Sequence, residues 1–152
     1  MESSEEPPVG LTHLSDGLKR LAESVPFTPG IDLTKVGEGD VILFTTANSF
    51  YTFRVGKPAD SKANAPCTGE MQGISLTPGQ EPKYFREPAE DVMILGATIG
   101  GSALVMDQAK LDMRLRIRVP LETPDTLGHP HKMILTSPLK SIKHIEASAI
   151  GS

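Results

Sequence analysis

VMILGATIGGSALVMDQAKLDMRLRIRV, residues 92–119, holds the longest continuous apolar material in the chain, an Ile99-Gly100-Gly101-Ser102 turn, and a closing run in which arginines alternate with hydrophobics. Paired glycines before a small polar residue favour a tight reversal, because glycine reaches positive φ without steric cost. The stretch reads as two or three β-strands at the centre of a small all-β domain. From residue 112 to residue 119 the alternation is strict. Met113, Leu115, Ile117 and Val119 fall on one face and Asp112, Arg114, Arg116 and Arg118 on the other, since successive side chains of a strand point to opposite sides.

Upstream, VILFTT and FYTFRV flank a short Asn/Ser turn at Ala47-Asn48-Ser49, the clearest hairpin signal in the chain. In its second arm Tyr51, Phe53 and Val55 share one face, and Phe50, Thr52 and Arg54 the other. Cys67 to Leu76 reads as a weak strand broken by Gly69 and Gly73. The breaker-rich segments 56–66 and 77–91 read as loops, with Tyr84-Phe85-Arg86 the part of the second expected to insert into something. Downstream, 132–136 and 139–145 form a second candidate hairpin around Ser137-Pro138, and the spacing of Ile142 and Ile145 predicts a bend or bulge.

At the other end, Leu11, Leu14, Leu18, Leu21 and Val25 recur at three- and four-residue spacing, which predicts an amphipathic helix over 11–25, capped by Thr12 and stopped by Pro26. Its apolar stripe is read as a lid on the sheet, with docking onto a partner protein as the other reading. The expected organisation is an acidic disordered tail (1–10), this helix, a linker, a β-domain over 39–146, and a small-residue tail (147–152). The fold class expected is all-β: a small, partly closed β-barrel of about seven strands with an N-terminal amphipathic helix, a β-sandwich being the alternative. Closure is favoured because open strand edges invite pairing with other chains.

With 152 residues one domain suffices. A single cysteine, Cys67, excludes an internal disulfide and any cysteine-rich zinc pattern. The acidic amino terminus lacks the basic region and apolar run of a secretory signal, and no run approaches the roughly 20 apolar residues of a membrane-spanning helix. A soluble, cytoplasmic protein without cofactor is expected. Its net charge is −4, unevenly spread: residues 1–109 carry 8 Lys and Arg against 15 Asp and Glu, a net of −7, and residues 110–152 carry 7 against 4, a net of +3. An anionic partner should therefore look to the second part.

The short motifs Gly39-Asp40-Val41, the TTANSFYTFRV hairpin, Gly100-Gly101-Ser102 and Leu135-Thr136-Ser137-Pro138-Leu139-Lys140-Ser141-Ile142 follow one another in that order. In this the chain resembles small β-barrel domains of uncharacterised bacterial proteins, over about residues 39–146. The resemblance implies the fold and carries over no catalytic residue.

The arginine strand is the main candidate for contact. Alternate residues of a strand stand about 6.6–7 Å apart, close to the separation of successive phosphates in an extended strand, and guanidinium forks suit phosphate or carboxylate oxygens. Arg114, Arg116 and Arg118, with Arg54 and a base-stacking Phe50, form the expected ligand-binding set, for a protein partner or an anionic ligand such as nucleic acid. The plain alternative is a solvated face whose arginines pair with acids on neighbouring strands. Other constellations lead less far. Gly100-Gly101-Ser102 lacks the second glycine of a nucleophile elbow. His129-Pro130-His131 sits in a loop without a rigid frame, so no metal is expected there. Cys67 has no local activating group and reads as a small buried hydrophobe. The function expected is a non-enzymatic binding module. A self-associating scaffold, forming a homo-oligomer, is the alternative, and a small hydrolase ranks third because no nucleophile has a base.

Overall fold

The computed structural model describes residues 20, 22–60, 62–77, 79–82, 84–99, 103–121, 123–124 and 126–150. Strands dominate: β1 (Gly30–Asp32), β2 (Val41–Thr46), β3 (Ser49–Lys57), β4 (Cys67–Ser75), β5 (Ala89–Ile99), β6 (Ala103–Met106), β7 (Gln108–Lys110), β8 (Arg114–Pro120) and β9 (His131–Ile145), followed by a short helix, Ala147–Ile150. Seven of them form one antiparallel sheet in the order β4-β3-β2-β9-β8-β5-β6. A further ladder between β4 and β5 carries the hydrogen bonds in an unbroken ring through six strands. The all-β class and the closure expected from sequence both hold. Closure leaves β6 with one open edge and the separate β1–β7 pair beside the ring.

Inside the ring lies the core, with Ile42, Phe44, Phe53, Ile94, Leu115, Ile117, Leu139 and Ile142 fully buried. Full burial of each such side chain stabilises the fold by about 1.5–3 kcal/mol. The alternation in the β2–β3 hairpin is as read, with Tyr51, Phe53 and Val55 inside. Strand β2 is buried on both faces, which explains its unbroken Val41-Ile42-Leu43-Phe44 run. Outside it a second cluster joins Val41, Leu43, Phe50 and Ile145 to Ala22, with Val25 and Leu76 against them.

Residues 11–19 and 21 of the expected N-terminal helix lie outside the described residues. Residues 22–24 have helical backbone. They are held to the ring by a bond from Lys143 Nζ to the Ala22 carbonyl (2.6 Å), and Lys143 also stands over the Phe27 ring at 4.5 Å.

Four details differ from the sequence expectation. The central stretch supplies four strands instead of two or three, because Asp107 adopts φ 58° and turns residues 108–110 away from β5 to pair with β1. That pairing makes Gly30–Asp32 a strand inside the expected linker. The expected hairpin around Ser137-Pro138 is one continuous strand, β9, with one residue more than β8 between Leu135 and Pro138 and one more than β2 between Leu139 and Ser141. Proline is tolerated there because the bulge interrupts the ladder, and Thr136 Oγ1 accepts the Leu115 N–H in place of a carbonyl (2.9 Å).

Finally, Gly69 and Gly73 do not break β4. They are places of close approach, where a Cβ would lie 2.1 Å from the Arg54 carbonyl oxygen and 2.5 Å from that of Tyr84. Near Gly73 the expected insertion occurs, with Phe85 packing edge-on against Tyr51 at 6.1 Å between ring centres. The reversal at 99–103 also falls where expected, since Ile99 pairs with Ala103; residues 100–102 themselves lie outside the described residues.

Candidate binding face

Burial of Leu115 and Ile117 inside the ring turns Arg114, Arg116 and Arg118 outward, as the alternation requires. What each arginine meets is set by register, because directly paired residues share a face. Arg118 lies between Met93 of β5 and Met133 of β9. Arg116 lies between Gly96 and Leu135, with Met106 of β6 beyond Gly96. Arg114 lies between Thr98 and Pro138, with Leu104 beyond Thr98. No acidic residue occupies any of these cross-strand positions. Among the described residues the three arginines make no ion pair, and Arg114 makes one weak bond, Nη1 to the Thr136 carbonyl at 3.5 Å.

The rows flanking the arginines are apolar and open. Met106, Met133 and Leu135 are 57%, 43% and 41% exposed. Beside Arg114 the Thr98 hydroxyl is buried with no partner among the described residues, an uncommon state for a buried polar atom. This is a surface of cations set into an apolar platform, and it holds Met106, Met133 and Leu135, three of the large hydrophobics most exposed in the described chain.

The other members of the expected set do not join it. Phe50 and Arg54 belong to β3, three ladder steps from β8 whichever way the ring is followed. Phe50 is only 7% exposed, packed under the segment that carries Ala22 and Val25, so its ring has no face to offer a base. Arg54 is exposed but opposite Glu70, in a groove of about 690 Å³ that also holds Lys57, Glu90, Asp91 and Met93. Met93, Met133, Leu135 and Met106 were not visible as site residues from sequence, because register decides which residues flank the arginines.

Two clusters weighed for chemistry are placed elsewhere. Cys67 lies fully buried in the core, and burial, aided by the Asp107 carboxylate, pushes its thiol up to about 12. Against the ordinary 9.0 this cuts the thiolate fraction at mildly alkaline pH by about a thousandfold. An aromatic disulfide reagent should therefore modify Cys67 of the native protein at least that much more slowly than in denaturant, followed by absorbance. Equal rates would contradict the burial.

His144 gives its Nε2 to Asp40 Oδ2 at 2.6 Å. Among the described residues no three His, Cys, Asp or Glu side chains gather as a metal site, and no helix is long and apolar enough to cross a membrane. Searched against known protein families, curated proteins and solved structures, the chain finds no match.

Proposed function

We propose that this protein is a non-enzymatic, cytoplasmic binding module that takes an anionic partner on the outer face of β8. The observation that carries the reading is the row Arg114, Arg116, Arg118 with methionine, leucine, glycine, threonine and proline, and no carboxylate, at every directly paired position. Solvated arginines on a plain outer face are normally interleaved with acids, so a row without them leaves its donors for something else. Each guanidinium that finds a carboxylate or phosphate gains a charge-assisted bond of about 1.5–3 kcal/mol. The buried thiol of Cys67 accords with a reducing compartment.

Self-association, the second reading, draws on the exposed Met106, Met133 and Leu135. Two copies meeting symmetrically there would bring each arginine row against its own kind, which opposes it.

Retention on immobilised heparin tests the first reading. The protein is expected to bind at low ionic strength despite its net charge of −4 and to elute as salt rises, while R114A/R116A/R118A passes through with an unchanged melting curve. A parent protein that passes through as freely as the variant removes the reading.

A further inference from the structure

The arginine row is continuous with the mixed-charge groove, and the join says what kind of anion fits. One outward row can be followed across five strands: Met133 of β9, Arg118 of β8, Met93 of β5, Thr68 of β4 and Lys57 of β3. Met93 belongs both to the arginine face and to the groove. A chain laid along β8 from Arg114 to Arg118 covers about 13 Å at the rise of a strand. Beyond Met93 it meets Glu70, Glu90 and Asp91, with Arg54 and Lys57 on the far wall. The cationic footprint is therefore short and bordered on that side by carboxylates.

A long polyanion, which the row can grip at low ionic strength, fits this less well at physiological salt than a short anionic segment does. Phosphates running on past Arg118 would be pressed toward Glu70, Glu90 and Asp91. Nor is there a stacking surface: no Phe, Tyr or Trp follows Phe85 in the chain, so β5, β6, β8 and β9 carry none, whereas single-stranded nucleic acids are ordinarily held by aromatic platforms. An extended polypeptide fits better. Its alternate side chains repeat at the same 6.6–7 Å or so as the arginines, the methylenes of its acidic side chains can lie against Met133, Leu135 and Met106, and a lysine can follow where the groove turns acidic.

Building on the binding reading above, we infer that the partner is an extended acidic peptide segment of another protein, with carboxylates at alternate positions over Arg114, Arg116 and Arg118 and a basic residue where it reaches the groove.

Fluorescence anisotropy of labelled probes with the full chain at physiological salt decides it. The probes are the peptide Glu-Leu-Glu-Leu-Glu-Gly-Gly-Lys-Lys, the same peptide ending Glu-Glu, oligo-dT, and phosphatidylserine vesicles followed by co-sedimentation. The Lys-ended peptide is expected to bind about tenfold or more tighter than the Glu-ended peptide and oligo-dT, and Arg116→Ala to weaken it about tenfold, the loss of one charge-assisted contact.

The variant E70Q/E90Q/D91N should reverse the order, weakening the Lys-ended peptide and strengthening oligo-dT severalfold. Asparagine is chosen at 91 because it tolerates the φ of 59° found there. Oligo-dT or vesicles binding as well as the Lys-ended peptide overturns the inference while leaving anion binding intact, and so does heparin retention with no peptide affinity. Failure to bind heparin removes the underlying reading instead.

Discussion

Asp40→Ala is expected to lower the unfolding free energy by about 3 kcal/mol and the melting temperature by about 10 °C, the scale of breaking a buried charged contact in a domain of this size. Asp40 lies at the mouth of the ring just before β2, and its carboxylate gathers three segments. Oδ2 accepts the Gly37 N–H at 2.9 Å and meets His144 Nε2 at 2.6 Å, and Oδ1 accepts the Ala147 N–H at 2.8 Å, capping the last helix from across the molecule. Alanine would leave those donors in a pocket where the carboxylate itself is almost fully buried, and a buried donor without an acceptor costs about 1–3 kcal/mol.

Burial resists ionisation of this group, yet the bonds from Gly37, His144 and Ala147 outweigh it and hold the carboxyl below its ordinary 3.8. A carboxyl whose folded pKa is depressed contributes its stability above the unfolded value and loses it as pH falls through the folded one. The wild-type melting temperature should thus fall on acidification below about pH 4. Asp40→Asn keeps most of the shape without the charge, so it should start lower and fall less. Circular-dichroism melts at descending pH check both, and parallel curves for wild type and Asp40→Asn would show that the carboxylate does not carry the effect.

That contact illustrates where reading along the chain stops. The partners Asp40 and His144 are 104 residues apart, and nothing in the neighbourhood of either announces the other. Local regularities were legible: period two placed Tyr51, Phe53 and Val55 inside and the three arginines outside, and the Asn/Ser turn located the β2–β3 hairpin. Chemistry shared by different local structures was not. Ser137-Pro138 reads equally as a turn or as a bulge, and only the extra residue of β9 against β8 distinguishes them.

Phe50 shows the same limit for the candidate site. On β3 it stands on the outer face, as alternation says, and outer suggested exposed. The Ala22 and Val25 segment covers that face, a tertiary fact beyond the reach of periodicity. The outward orientation of the arginine row was legible because it depends on its own strand alone, while its apolar surroundings depend on β5, β6 and β9.

Gly96→Ala should be at least as damaging as Asp40→Ala, although it removes no contact. Gly96 sits at the β5 irregularity, where the ladder to β8 skips Leu95, and takes φ 149°, in a region L side chains rarely adopt. A Cβ there would stand 2.1 Å from the Val105 carbonyl oxygen and 3.0 Å from the Met106 Cα. These are backbone atoms of β6, which cannot rotate aside as a side chain would. The steric conflict and the φ penalty together predict a loss of about 3 kcal/mol or more, read as a fall in the denaturation midpoint.

Because Gly96 is paired on one side with Arg116 and on the other with Met106, relief of the clash must lift β6, and with it Leu104 and Met106, off the arginine face. Any Gly96→Ala protein that still folds should therefore lose partner affinity together with stability. Met106→Ala, which leaves the backbone alone, should weaken binding while the midpoint holds. A Gly96→Ala protein as stable as the wild type would mean that β6 approaches β5 less closely than the Gly96–Met106 pairing requires.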